Sequence, residues 1–162
     1  MEKSVSTFFK IFSGMAIGMT IGALRTKKNL KKDIDKKQDL SEKHMEMFLI
    51  MNQWMKKKIE GKCLQDYFEK NNYKSVAIYG MSYIGERLFE ELKDSGIMVK
   101  YGIDKCADGI YMDVDVVSLD GELKPVDVVV VTPIHYYEVI ESELSKKVDC
   151  PIISIEDVVY DL

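Results

Sequence analysis

Short apolar runs alternate with segments of helical periodicity from Ser75 to the end of the chain. The helical patterns cover residues 86–92 and 136–146. The apolar runs predict five strands, at residues 76–79, 98–103, 114–119, 127–132 and 152–155. Strands that alternate with crossover helices form a parallel sheet with right-handed connections. The pattern therefore predicts an α/β fold with one parallel sheet of about five strands, in the order 3-2-1-4-5.

A different pattern precedes this region. Between residues 40 and 59 apolar side chains recur every three or four positions, which predicts an amphipathic helix. Ser41 or Asp39 is the expected N-cap, and Gly61 is the expected stop. A short second helix follows, and its inward face is predicted to hold Leu64, Tyr67 and Phe68. Residues 40–72 thus form a helical leader, in which we expect His44 to be structural.

Residues 1–24 form an apolar segment, which predicts an N-terminal helix that anchors the chain in a membrane. Residues 5–24 give a 20-residue run in which Lys10 lies close enough to one end to reach the interface. The cluster of basic residues that begins at Arg25 keeps its own side of a span in the cytoplasm, so we expect a single-pass anchor with a cytoplasmic C-terminal domain. An interfacial or partner-bound helix and a cleaved or soluble segment are the alternatives. One face of this helix carries Gly14, Gly18 and Gly22, a spacing that allows two helices to approach closely, so a homo-oligomer is one hypothesis. Glycines that are simply tolerated in an apolar helix are the alternative.

Charge divides the chain further. Residues 25–74 hold 14 basic and 8 acidic side chains, whereas residues 75–162 hold 7 basic and 18 acidic ones. Residues 25–39 are therefore predicted to be a solvated basic linker, or an extension of a helix, that could touch anionic lipid heads. A net charge of −4 argues against nucleic acid as a partner. The three cysteines are widely spaced and contain no C-x-x-C pair, so we expect neither a metal site nor a disulfide framework.

The turn after the first strand is the main candidate for chemistry. It supplies the predicted cofactor-binding residues Gly80, Met81, Ser82, Tyr83, Ile84 and Gly85. In a dinucleotide-binding fingerprint the first glycine makes the tight turn and the third allows close packing of helix and strand, while Ser82 stands at the middle glycine position. Asp104 ends the second strand at the spacing of a carboxylate that binds ribose hydroxyls, which favours NAD or a nucleotide-sugar. A purely structural role for the two glycines and Asp104 stays open.

The end of the fourth strand supplies further candidates. In a sheet of order 3-2-1-4-5 the first and fourth strands flank the switch point, where ligands bind at the carboxyl ends of the strands. Thr132 and His135 are therefore expected beside the glycine turn. His135 is the best acid–base candidate, since it is the one histidine of residues 73–162. A solvent-facing histidine near the start of a helix is the alternative.

The region 73–162 resembles the small Rossmann-like NAD(P)- or CoA-binding-type domains of bacterial cell-surface polysaccharide proteins. The resemblance rests on residues 76–80, Gly85, residues 101–104 and the strand at 127–133. Similar domains accompany sugar-nucleotide dehydratases, phosphoglycosyl transferases and sugar acetyltransferases. The resemblance implies a membrane-tethered, nucleotide-binding module with an accessory or regulatory role in polysaccharide biosynthesis. A membrane-bound enzyme of that pathway is its implied partner.

Two alternatives of other classes stay open. One is an NAD-dependent sugar-nucleotide epimerase or dehydrogenase that a partner chain completes, because hydride transfer needs a second wall for the substrate pocket. The other is a ligand-free scaffold that docks through the helix at residues 40–59. No catalytic Tyr/Lys pair, P-loop or metal set is recognisable in the sequence, which favours a role without catalysis.

Overall fold

The computed structural model describes the backbone of residues 2–162 and the side chains of residues 25–162. Five parallel strands form one sheet in the order β3-β2-β1-β4-β5, which confirms the predicted α/β class and strand order. The strands are β1 (Ser75–Tyr79), β2 (Met98–Ile103), β3 (Val116–Val117), β4 (Val128–Val131) and β5 (Ile152–Ser154). The helices are α1 (Glu2–Ile59), α2 (Leu64–Lys70), α3 (Tyr83–Leu92), α4 (Tyr137–Leu144) and α5 (Ile155–Tyr160).

The sheet is buried on both faces, as β4 illustrates. All four of its valines are fully buried. Because successive side chains of a strand point to opposite faces, both faces of the sheet must be covered at this strand. Val128 and Val130 join the core on the face covered by α2, α3 and α5, while Val129 and Val131 join the core beneath α4. A continuous valine run therefore places one strand in two hydrophobic cores.

Helix α1 runs without a break from Glu2 to Ile59. The predicted N-cap at Ser41 or Asp39 is wrong, because both residues lie inside the helix. The Lys43 ammonium donates a hydrogen bond of 2.6 Å to Oδ2 of Asp39, one helical turn earlier. The predicted stop is confirmed: Gly61 has φ +79°, the left-handed conformation that ends helices. The basic segment 25–39 is part of α1.

The chain divides into two compact units, Met1–His44 and Met45–Leu162. Within the second unit, the last part of α1 contributes to the hydrophobic core. Ile50 is 2% and Trp54 4% exposed within that core. The indole N–H of Trp54 also donates to the Glu91 carboxylate at 2.8 Å.

Two elements near the C-terminus differ from the prediction. Strand β3 is only two residues long, and the chain from Ser118 to Asp127 returns to β4 without a helix. The sequence pattern missed α5, whose N-cap Ser154 accepts a hydrogen bond from the Glu156 N–H at 3.1 Å. Both differences arise in short segments, where helical or strand periodicity has too few positions to show.

The predicted anchor at residues 5–24 lies outside the residues whose side chains the structure describes. Among the described residues, no helix has the length and apolar character that a membrane crossing requires.

Candidate functional site

The carboxyl edge of the sheet brings several predicted residues together. The β1–β2 pairing extends to Gly80, whose N–H donates to Ile103 O at 2.8 Å, and the β1–β4 pairing extends to Thr132, whose N–H donates to Tyr79 O at 2.9 Å. Gly80, Asp104 and Thr132 therefore follow three neighbouring strands at one edge. This is the edge at which α/β sheets bind ligands.

Close packing leaves no space for a side chain at either glycine of the turn. Gly80 has φ +90°, and a Cβ there would lie 2.7 Å from Thr132 Oγ1 and from the ring of Pro133. A Cβ at Gly85 would overlap the carbonyl oxygen of Gly80. The turn thus keeps β1, α3 and the end of β4 in close contact, the arrangement that the fingerprint glycines create in dinucleotide-binding units.

Asp104 is fixed to the turn through both of its carboxylate oxygens. Oδ2 accepts a hydrogen bond from the Met81 N–H at 2.9 Å, and Oδ1 accepts one from the Cys106 N–H at 2.9 Å. A carboxylate has about four acceptor positions, so these bonds hold its orientation and leave acceptor capacity for ligand hydroxyl groups. The same bond directs the Met81 N–H to Asp104 and away from a phosphate.

The remaining turn residues divide between core and surface. The side chains of Met81 and Ile84 are 2% and 6% exposed, so only their backbone reaches the edge. Met81 packs over Gly102, where a Cβ would lie 2.6 Å from Met81 Cγ. Ser82 is exposed, and although it is the N-cap of α3, its side chain makes no capping hydrogen bond. The first residue of α3, Tyr83, is 74% exposed.

The two candidates after β4 both have internal partners. The Thr132 hydroxyl is buried and lies 2.6 Å from Gly80 O and 3.1 Å from Tyr79 O, so it closes the turn from the β4 side. His135 Nδ1 lies 3.0 Å from the Glu46 carboxylate of α1. This contact joins the last part of α1 to the loop after β4. The contact gives His135 a structural role, and its acid–base role stays a prediction.

Tyr79 is a buried residue at this edge that the sequence did not indicate as a functional candidate. It is 4% exposed, and its hydroxyl has no hydrogen-bond partner among the residues described. Burial, followed by the negative charges of Glu143 and Asp104, raises the pKa of this phenol. No sequence signal distinguishes Tyr79 from other strand-end tyrosines, because its isolation depends on how α4 packs above it.

A cavity of about 500 Å³ opens on the α4 face of the sheet. Its walls come from the turn after β2, the loop after β3 and the end of α4, and its polar lining consists of Lys105, Ser118, Asp120, Glu143, Lys146 and Lys147. No sequence pattern predicts this cavity, because Lys105 and Lys146 are 41 positions apart and come together only in the folded chain.

Among the described residues, no group of three histidine, cysteine or acidic side chains is arranged to hold a metal ion. No protein-family model matches the chain, and no curated protein or solved structure matches it.

Proposed function

We propose that residues 45–162 form a non-catalytic module that binds a nucleotide-type ligand, NAD or a nucleotide-sugar, at the carboxyl edge of the sheet. A phosphate would lie at the N-terminus of α3, where the first backbone N–H groups of the helix point outward and the helix dipole favours an anion. Asp104 would accept hydrogen bonds from ribose hydroxyl groups. The proposed setting is the one that the resemblance implies: an accessory protein of polysaccharide biosynthesis, tethered at the cytoplasmic face of a membrane.

One observation carries the proposal. Asp104 is held in place by two backbone N–H groups, beside a helix N-terminus that its own N-cap side chain does not cover. An oriented carboxylate next to an uncovered helix N-terminus supplies the two contacts that the ribose and the diphosphate of NAD or a nucleotide-sugar need. Ser82 is the departure from the fingerprint, and its side chain would crowd a diphosphate more than glycine would.

A thermal-shift panel of the full chain with NAD, NADP, CoA and several nucleotide-sugars tests the proposal. A ligand at about a hundred times its Kd adds about 2.7 kcal/mol to the stability of the native state. Ser82→Asp keeps a good N-cap for α3 but puts a negative charge at the phosphate position, so it should abolish the shift without lowering the Tm of the free protein. Ser142→Asp, an exposed position on α4, is the control of equal charge and should keep the shift.

The test has two results that would oppose the proposal. No shift with any ligand of the panel would contradict it. An equal loss of the shift in Ser82→Asp and Ser142→Asp would place the ligand elsewhere on the protein. Ser82→Gly, which restores the middle glycine, should bind the ligand more tightly than the native chain.

A second candidate function is a scaffold that self-associates through α1. The observation that favours this role is a row of exposed apolar side chains at heptad spacing on α1, with Asn52 at its centre. The row consists of Met45, Phe48, Met55 and Ile59. Rows of this spacing pack against an identical helix, and a central asparagine sets the register. A concentration-dependent dimer that Phe48→Glu dissociates would support this role, whereas a monomer at all concentrations would exclude it.

A further inference from the structure

Three of the seven basic residues of the α/β region lie around one cavity. Residues 75–162 carry 7 lysines and arginines against 18 acids, and yet Lys105, Lys146 and Lys147 all line the cavity on the α4 face. The acids that share this lining are Asp120 and Glu143. The cavity therefore has an excess of positive charge on a strongly acidic region of the protein.

One of these lysines builds the wall, and two are available. Lys147 donates to Leu119 O at 2.9 Å and to Asp120 Oδ1 at 2.8 Å, which fixes the loop after β3 to the end of α4. This contact lowers the pKa of the Asp120 carboxyl through the lysine hydrogen bond and its charge. In the described part of the chain, the ammonium groups of Lys105 and Lys146 have no hydrogen-bond or ion-pair partner, and both side chains are exposed.

Structural roles account for some of the lysines but not for their convergence. Lys146 and Lys147 follow the C-terminus of α4, where cations interact favourably with the helix dipole. Lys105 lies in the turn after β2 and has no such reason for being basic. The connection from β3 to β4 contains no helix and contributes Ser118, Leu119 and Asp120 to the wall of the cavity.

We propose that this cavity binds a phosphate monoester of a small molecule, with Lys105 and Lys146 on the phosphate and Ser118 as a hydrogen-bond donor. Lysine ammonium groups bind phosphate as compact point charges. A volume of about 500 Å³ lies within the range of small-molecule sites. The site is separate from the glycine turn and does not depend on the function proposed for that turn.

Calorimetric titration of the full chain with ribose 5-phosphate at constant ionic strength tests the site. The double variant Lys105→Glu/Lys146→Glu should lose about tenfold or more in affinity, because two charge-assisted contacts become repulsive. Lys70→Glu/Lys93→Glu changes the net charge equally at exposed positions elsewhere, and its affinity should stay within about twofold of the native value. Ribose without phosphate should give no binding, and inorganic phosphate should compete with ribose 5-phosphate.

Asp104→Ala separates this site from the glycine turn. Binding of ribose 5-phosphate should persist in that variant, and its loss would place the phosphate at the turn and overturn the proposal. The proposal is also overturned if the native chain does not bind ribose 5-phosphate, or if both lysine pairs lower the affinity equally. Unchanged circular dichroism spectra and Tm values of the two double variants will show that each is folded.

Discussion

Oδ2 of Asp104 accepts a hydrogen bond of 2.9 Å from the backbone N–H of Met81, which lies 23 residues earlier in the chain. This contact joins the end of β2 to the glycine turn after β1. It holds the carboxylate at the place where the proposed ribose would bind. The same side chain therefore supports the fold and prepares the proposed site.

The structural part of this role predicts a loss of stability. Asp104→Ala removes the acceptor of two backbone N–H groups, and we expect it to lower the free energy of unfolding by about 1–3 kcal/mol. Urea denaturation measures the change. Asp113→Ala, at an exposed acidic position, should stay within about 0.5 kcal/mol of the native chain. Equal effects of the two substitutions would show that the Asp104 contacts add nothing to stability.

The close contact between α3 and the glycine turn predicts that Gly85 tolerates no side chain. Gly85→Ala places a methyl group against the Gly80 carbonyl, so β1 and α3 must separate, at a cost of about 3 kcal/mol. Gly109→Ala is the matched control, since a Cβ there meets no atom within 4 Å. Thermal unfolding of the two variants should show a large fall in Tm for the first alone. A native Tm for Gly85→Ala would contradict the packing described for this turn.

Two buried tyrosines should differ in how the removal of their hydroxyl group changes the stability of the protein. Tyr101 donates to Lys124 O at 2.7 Å, so Tyr101→Phe should cost about 1 kcal/mol. The Tyr79 hydroxyl is buried without a partner, so Tyr79→Phe should leave stability unchanged or raise it. Chemical denaturation of both variants makes the comparison. A clear loss of stability in Tyr79→Phe would show that its hydroxyl has a partner in solution.

Ionisation of the Tyr137 phenol should lower the stability of the protein at alkaline pH. Burial, and then the hydrogen bond and negative charge of Glu141, raise the pKa of Tyr137 to about 12, whereas an unfolded tyrosine has a pKa of about 10. The phenol is protonated in both states below pH 10, so its contribution is complete there and is lost as the pH rises from about 10 to 12.

Denaturation curves between pH 9 and 12 measure this dependence, across the window set by the two pKa values. Tyr137→Phe should make the decline less steep. Tyr111→Phe should not change it, because Tyr111 is 94% exposed. A native slope in Tyr137→Phe would mean that the phenol ionises equally in both states.

The order of the sheet was predictable because buried strands leave a strong signal. The valine run of β4 and the alternation of strands with helices determine the topology without any detailed contact. The end of α1 was less predictable. Apolar spacing showed that residues 40–59 are amphipathic, but it could not show that Trp54 is buried in the core of the α/β region and bonds Glu91, 37 residues later.

The candidate site was predictable in position more than in detail. Glycine spacing and Asp104 placed the turn and its carboxylate at one edge, since both follow strands that pair with each other. The pairing of His135 with Glu46 depends on how α1 packs against the loop after β4, which no local pattern encodes. The lysine cavity depends on a loop without periodicity, so only the three-dimensional structure brings its residues together.

The most direct test of the proposed function is a map of backbone amide shifts in the ¹⁵N-labelled chain as NAD or the best nucleotide-sugar of the thermal panel is added. We expect the amides of Ser82, Tyr83 and Ile84 to shift most. The chemical shifts of the amides of residues 123–126, in the loop that leads into β4, should not change. Shifts confined to other surfaces, or no shifts at all, would contradict a nucleotide site at the glycine turn.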